Sequence, residues 1–307
     1  MKVSAIVPTF NRARLLPRAL ASIAAQTHPD VEVIVVDDGS TDDTAEVVHR
    51  IAATFPFPFH YFRKPNGGCA SARNAGLRQA TGECIAFLDS DDAWNPDALA
   101  QLAAALERTG ADFVYSPSVE ILEDGGETLN RPVAAGDPER LAVEHFTVSN
   151  LRNGSTLIRR SALHGVGEFD ESLGHNEDSD FVQRLAIRCK ATYVDASSVR
   201  VFHHGGRKSD NRVAVEKAVL ASTLKILATH PDFARSLGER ADRRLRQIRA
   251  SLVAQLILAD QIAEARAAAR EGADLGSITR LALVLGSPRP LRLARRLRRC
   301  WQRLRGD

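Results

Sequence analysis

The sequence has few cysteines and no long apolar run, and each shortage excludes something. Its four cysteines, Cys69, Cys84, Cys189 and Cys300, are widely scattered and never form a CxxC pair. That spacing suggests neither a zinc site nor a disulfide framework, and it reads as reduced thiols in a cytosolic protein. No run of about 18 apolar residues occurs, so no spanning helix is expected. The opening MKVSAIVPTF has no apolar run with a small-residue cleavage site, unlike a signal peptide. No GxxxxGKS or GxxxxGKT occurs, and PTFNR, after the first apolar run, lacks the glycines of a dinucleotide fingerprint.

What is present is a 307-residue chain, long enough for one large α/β domain plus an appendage, or for two domains. Its net charge of +3 hides an asymmetry. Residues 286–307 carry eight arginines and one aspartate, or +7, which leaves −4 for the rest. A mildly acidic body with a strongly basic tail suggests an anionic partner.

Strand and helix patterns alternate over the first half. Residues 3–7 form an apolar run ended by Pro8, and residues 12–26 carry the helical stripe Leu15, Leu16, Ala19, Leu20 and Ile23. VEVIVVDD, residues 31–38, is a β-branched run of the kind buried on both faces of a parallel sheet. Ser40 and Asp43 are spaced as a capping box before a helix running to about Ala53. Strands are expected at 60–63, 83–88, 113–116, 155–159 and 199–202, with helices at 70–80, 96–108 and 177–189. EDGGE, within the less regular stretch 122–137, reads as a turn or hairpin tip. The expected fold is α/β, a doubly wound and mainly parallel sheet flanked by helices. From about Val213 alanine, leucine and arginine dominate and strand signals vanish, so a helical extension is expected, broken at Pro231, 272–276 and 288–290. The expected division is 1–210, 211–285 and 286–307.

Four motifs fall after strands or before helices, where open α/β sheets bind ligands. They are PTFN (8–11), DDGS (37–40), NGGCASARN (66–74) and DSDD (89–92). Each alone has a plain structural explanation: Asp38 as a helix-start residue, Asn66-Gly67-Gly68 as a turn, Asp89 to Asp92 as solvated caps. Together on one sheet edge they suit a nucleotide with a divalent ion. Mg²⁺ or Mn²⁺ takes oxygen ligands and commonly only one or two protein carboxylates, with phosphate and water completing the shell. Such an ion also relieves the repulsion among Asp89, Asp91 and Asp92. Asp38 suits a base N–H, Phe10 an apolar base face, and Arg73 base or phosphate oxygens.

VSAIVPTFNR, QTHPDVEVIVVDDGSTDDT, NGGCASARNAGLRQATGECIAFLDSDDAW and GEFDESLGHNEDSDFVQRL, spread over roughly residues 1–205, strongly resemble the inverting glycosyltransferases of family 2, bacterial type, with the GT-A fold. The resemblance implies roles by position. Pro8, Phe10 and Asp38 match the pocket for the nucleotide base, usually uracil. Arg73 matches an arginine near the nucleotide, and Asp89 the aspartate that approaches the ribose. Asp91 matches the metal ligand, with Asp92 beside it. Asp178 matches the catalytic base, with Glu177 as its neighbour. His203 or His204 matches a histidine that approaches the metal or diphosphate, and His204 is favoured.

The resemblance implies a nucleotide-sugar donor, such as a UDP-sugar, a glycan or lipid-linked acceptor in cell-surface polysaccharide synthesis, and Mn²⁺ or Mg²⁺ as cofactor. For the NEDSD stretch the plain alternative is that Glu177, Asp178 and Asp180 are merely first-turn acids of a helix. For HHGGRK it is a polar loop entry, against a lid closing over the diphosphate. Trp94 stacks on a sugar or anchors the fold. The tail, PLRLARRLRRCWQRLR, suits an interfacial helix on an anionic membrane, with docking on the body as the alternative. It lacks the interleaved aromatics of a nucleic-acid platform, so no nucleic acid is expected. The location expected is cytoplasmic, peripheral to the inner face of the cell membrane. A catalytically silent nucleotide- or membrane-binding scaffold is the competing class. It fits the set Asp38, Asp89, Asp91 and Asp178 less well.

Overall fold

A computed structural model describes residues 1–132, 137, 140–148, 151–205 and 211–294. It divides into two compact units, residues 1–206 and 207–307.

The first unit begins with β1 (Val3–Thr9), α1 (Leu16–Ala24), β2 (Val31–Asp37), α2 (Thr44–Ala52), β3 (Phe59–Arg63), α3 (Gly68–Gln79) and β4 (Cys84–Phe87). It continues through β5 (Ala93–Trp94), α4 (Ala98–Thr109), β6 (Phe113–Tyr115), β7 (Ser118–Ile121), β8 (Glu127–Asn130) and α5 (Leu141–Val148). It closes with β9 (Thr156–Arg159), α6 (Leu163–Val166), α7 (Glu177–Arg188), β10 (Ala191–Tyr193) and β11 (Val199–Phe202).

Seven strands form the main sheet, in the order β10-β6-β9-β4-β1-β2-β3. All run parallel except β9, which is antiparallel to both neighbours. Every residue of β1 and β2 is buried, as expected of strands covered on both faces. Alternation sorts their side chains. Val3, Ala5, Val7, Val31, Val33 and Val35 pack with Leu16, Leu20 and Leu99 of α1 and α4. Ile6, Ile34 and Val36 face the other way, toward Ala70 and Ala72 of α3 and a cluster containing Phe87, Phe169 and Phe181. β1 lies between β2 and β4, so the strand order reverses there, and the crevice beyond its carboxyl end is where an open sheet binds a ligand.

The helix expected over 12–26 is shorter. It starts at Leu16, with Pro17 in the first turn, where a missing N–H costs nothing. Leu16, Ala19, Leu20 and Ile23 bury one i, i+3, i+4, i+7 face. The capping box expected from Ser40 and Asp43 does not form. Ser40 Oγ accepts instead from Asn11 N (2.8 Å), and Asp43 caps α2 with no side-chain bond. A second sheet, β5-β11-β7-β8, joins segments far apart in sequence. The EDGGE stretch is the tip of its β7–β8 hairpin.

The second unit is helical: α8 (Arg212–Thr229), α9 (Pro231–Leu237), α10 (Glu239–Leu258), α11 (Ile262–Arg270) and α12 (Ser277–Leu285). Leu252, Val253, Leu256, Ile257, Ala265 and Ala282 form its own core. No described helix is long and apolar enough to cross a membrane. Residues 295–307, most of the basic tail, lie outside the described residues.

Candidate active site

The first two motif loops are laced together. Asp38 N donates to Thr9 O (2.8 Å), and Asn11, with φ of 52°, accepts from Thr41 N through Oδ1 (2.7 Å). Asparagine tolerates that left-handed backbone because its short amide bonds locally. Pro8 is buried within β1, while Phe10 just beyond it is 45% exposed at the crevice.

Asp38 is buried, yet its carboxylate is well supplied with donors. Oδ1 accepts from Lys64 Nζ (2.7 Å) and Gly67 N (2.9 Å), and Oδ2 from Gly68 N (2.7 Å). Three of about four acceptor positions are thus used, which leaves one for a base N–H. Gly39, with φ of +84°, lets this turn approach the 64–66 backbone. A Cβ there would meet Asn66 N at 3.0 Å.

The DSDD acids diverge. Asp92, which is buried, accepts from Phe202 N (3.1 Å) at the end of β11. Asp91 Oδ2 faces His204 Nε2 at 3.0 Å, with Arg12 Nη2 at 3.7 Å. Asp91 O accepts from Arg18, whose guanidinium lies 3.5 Å over the Phe202 ring. Asp89 turns the other way, to Arg73 Nη2 (2.8 Å), with its side chain 44% exposed.

Arg73, buried in α3, joins two motifs. Its Nη1 donates to Glu177 Oε1 at 3.0 Å, while Nη2 holds Asp89. The stretch NEDSD is therefore sorted by its partners. Glu177 is tied to Arg73, and Asp180 is buried against Arg184 Nε (2.9 Å). Asp178 is partly exposed and has no cation within ion-pair distance among the described residues. Its Oδ1 accepts only from the adjacent Ser179 N (2.8 Å). Burial first, then the charge of Glu177, pushes the Asp178 carboxyl above the ordinary carboxylate range, against the pull of Arg73. Asn176, left-handed at φ of 63°, sets the start of α7 and so the placement of these acids.

The two histidines separate as well. His203 Nε2 meets Glu120 Oε2 at 2.7 Å, whereas His204 turns to Asp91. Trp94 is buried and donates Nε1 to Gly154 O (2.8 Å), so it anchors the fold and does not face a sugar. Four residues carry no role in the sequence reading: Arg12, Arg18, Glu120 and Arg152. Arg12 at least ends PTFNR, but nothing in the surrounding sequence marks Glu120.

Among the described residues no cluster of three or more His, Cys, Asp or Glu side chains is placed to hold a metal by itself. Asp91 Oδ2 and His204 Nε2, 3.0 Å apart, form an incomplete oxygen and nitrogen donor set. Such a set fits Mn²⁺ or Mg²⁺ arriving with a diphosphate, which supplies the remaining oxygens.

Known proteins share this framework. The sequence pattern of the family described as Glycosyl transferase family 2 matches residues 4–167. An uncharacterized glycosyltransferase of Rickettsia typhi is 32% identical over 198 residues, 63% of this chain and 61% of that protein. The chain spans 42% to 61% of the lengths of the curated relatives from Nostoc sp. and Rickettsia typhi. The crystal structure of S. aureus TarS 1-349 in complex with UDP-GlcNAc superposes with a TM-score of 0.62 at 21% identity, covering 94% of this chain and 93% of that one. The mannosyltransferase PcManGT from Pyrobaculum calidifontis, in complex with GDP-Man and Mn²⁺, gives 0.61 at 23% identity, covering 94% and 87%. These two likenesses show the fold.

Proposed function

The chain belongs to glycosyl transferase family 2, and from that premise we propose that it moves a sugar from a nucleotide sugar, a UDP-sugar, onto a hydroxyl of a glycan or lipid-linked acceptor with inversion at the anomeric carbon. One observation carries the reading. Asp178 at the sheet edge has no ion-pair partner among the described residues, and its pKa is raised, as a general base requires.

The roles follow from the geometry. Phe10, just beyond the buried Pro8, offers the base an apolar face, and Asp38 has one acceptor position left for its N–H. Asp89, fixed by Arg73, lies beside the ribose. Asp91 and His204 would hold Mn²⁺ or Mg²⁺, with Asp92 tying the DSDD loop to the end of β11. Held there, the ion would supply positive charge to the departing diphosphate. Asp178 takes the proton of the acceptor hydroxyl on the opposite face of the sugar, and a single displacement inverts the centre. The ligands bound by two proteins of this fold, UDP-GlcNAc in one and GDP-Man with Mn²⁺ in the other, support a nucleotide-sugar donor. The test is a nucleotide-sugar panel with and without Mn²⁺ or Mg²⁺, scored by donor hydrolysis and thermal shift. A UDP-sugar with metal is expected to respond, and silence toward every nucleotide would overturn the reading.

Peripheral attachment to an anionic membrane is the second part of the proposal. Ile278, Leu281, Val284 and Leu285 form one exposed stripe of α12, with Val284 76% exposed. Residues 275–294 carry Arg280, Arg289 and Arg292 and no acid, and the arginine-rich tail continues beyond them. An apolar stripe flanked by cations suits the interface of an anionic bilayer. Removing residues 286–307 is expected to shift the protein from the membrane to the soluble fraction, and unchanged partitioning would overturn this part.

A further inference from the structure

Outside the ligand-facing side chains, one charged cluster is built with unusual completeness. Glu120, on β7, is 8% exposed, and both of its carboxylate oxygens are engaged. Oε1 accepts from Arg152 Nε (3.0 Å) and Nη2 (2.8 Å), and Oε2 meets His203 Nε2 at 2.7 Å. The carboxylate therefore cannot rotate without breaking a bond. His203 is held a second time through its backbone, since its N donates to Ile121 O (2.8 Å) and extends the β11–β7 pairing. The preceding residue is fixed too, through the bond from Phe202 N to Asp92.

What this rigid strand end presents is the next residue. His204 projects its Nε2 to Asp91 Oδ2, while Nδ1 lies 2.9 Å from Gly205 O. Both ring nitrogens thus face an oxygen; with a cation between Nε2 and Asp91 Oδ2, the Gly205 carbonyl would hold the remaining proton on Nδ1.

We infer that Glu120, clamped by Arg152, is a positioning residue that fixes His203 and thereby aims His204 at the Asp91 cation site. This rests on the reading of Asp91 and His204 as metal ligands. Glu120 touches neither donor nor metal; its effect travels through one peptide unit. Supports of this kind commonly change metal affinity by about 10- to 100-fold when removed.

The experiment measures UDP binding by calorimetry in Mn²⁺ and in EDTA for the full chain and for Glu120→Gln, His204→Ala and the double variant. Glu120→Gln is expected to weaken Mn²⁺-dependent UDP binding about tenfold, to leave binding in EDTA unchanged, and to keep the melting temperature within a few degrees. Arg152 and His203 are partly solvent-exposed, so water can take up the bonds they lose. His204→Ala is expected to show the same metal-dependent loss, with the double variant no weaker than His204→Ala alone. A Glu120→Gln loss that is equal in EDTA, or that adds in full to the His204→Ala loss, overturns the inference while sparing the metal site. A His204→Ala variant with wild-type Mn²⁺-dependent binding overturns the metal reading and the inference with it. Arg152→Gln, which releases the clamp and leaves Glu120 in place, carries the same test should Glu120→Gln fail to fold.

Discussion

Arg73 Nη1 lies 3.0 Å from Glu177 Oε1, although 104 residues separate them in sequence. The pair joins the start of α7 to the middle of α3, and through Arg73 Nη2 to Asp89. Glu177 is paired by this contact, and its neighbour Asp178 is left without an ion-pair partner among the described residues. Everything assigned to Asp178 follows from that division.

Asp178→Asn removes the base but keeps the shape. Turnover is expected to fall by about 10²- to 10⁴-fold, the range general-base catalysis supplies, while UDP affinity changes little. The sign for stability is the opposite one. The folded carboxyl titrates above its unfolded value, so its ionised form costs stability at neutral pH, and the amide relieves that cost. The variant is therefore expected to melt higher than wild type. Calorimetric melting beside a donor-turnover assay reads both effects, and a lower melting temperature would count against the assignment.

Glu177→Gln tests the electrostatics of the base. After burial, the charge of Glu177 is the main cause raising the Asp178 carboxyl. Without it, Asp178 stays ionised to lower pH, and Arg73 acts on it more strongly. The acid limb of the kcat/KM profile is expected to move to lower pH. A limb that stays in place would show that another group sets it.

Much of this site is legible in the sequence because each loop motif sits at the end of a strand whose pattern is strong. β1 and β2 declare themselves as continuous apolar runs, and a parallel sheet must bring their carboxyl ends to one edge. The second sheet is legible only in part: 199–202 reads as a strand and EDGGE as a hairpin tip, but β5 has two residues and β7 and β8 four each, too short for a periodic signal. Nor are partner choices. The spacing of Ser40 and Asp43 satisfies a capping box, but the amide of Asn11, 29 residues earlier, takes the hydroxyl first. In the same way, NEDSD offers three interchangeable acids until Arg73 and Arg184 claim two of them.

Glu32 governs acid stability at the opposite end of the sheet. It is buried near the start of β2 and accepts from Lys2 Nζ (2.6 Å), Ser4 Oγ (2.5 Å), Thr81 N (2.7 Å) and Thr81 Oγ1 (2.6 Å). Burial pushes its carboxyl up, and these bonds outweigh burial to hold it at about 2. A depressed folded pKa contributes stability above the unfolded value and loses it as pH falls toward the folded one. Glu32→Gln is expected to cost about 2 kcal/mol at pH 7, discounted because Lys2 is partly solvent-screened. That difference should shrink as pH falls below about 5 and disappear only as it passes through about 2. Urea unfolding at pH 7, 5 and 3 measures it.

Gly76→Ala opposes two effects. In an α3 interior, alanine is favoured over glycine by about 1 kcal/mol. Here, however, the new methyl would overlap Ile6 Cγ2 in the fully buried face between α3 and β1. Overpacking costs about 1–3 kcal/mol, so net destabilisation is expected in urea unfolding at neutral pH.

The Glu120–Arg152 ion pair also bears on how this chain can diverge. It clasps the two ends of a stretch that holds the β7–β8 hairpin and α5. Changes of length at the exposed β7–β8 tip, 122–127, fall inside the clasp and away from the carboxylates, whereas α5 packs on α7 and is not freely exchanged. A single crossover between residues 120 and 152 separates the two partners and perturbs His203, and with it the aim of His204. Recombinants with both junctions in that tip should therefore stay active far more often than those with one junction inside the clasp and one outside.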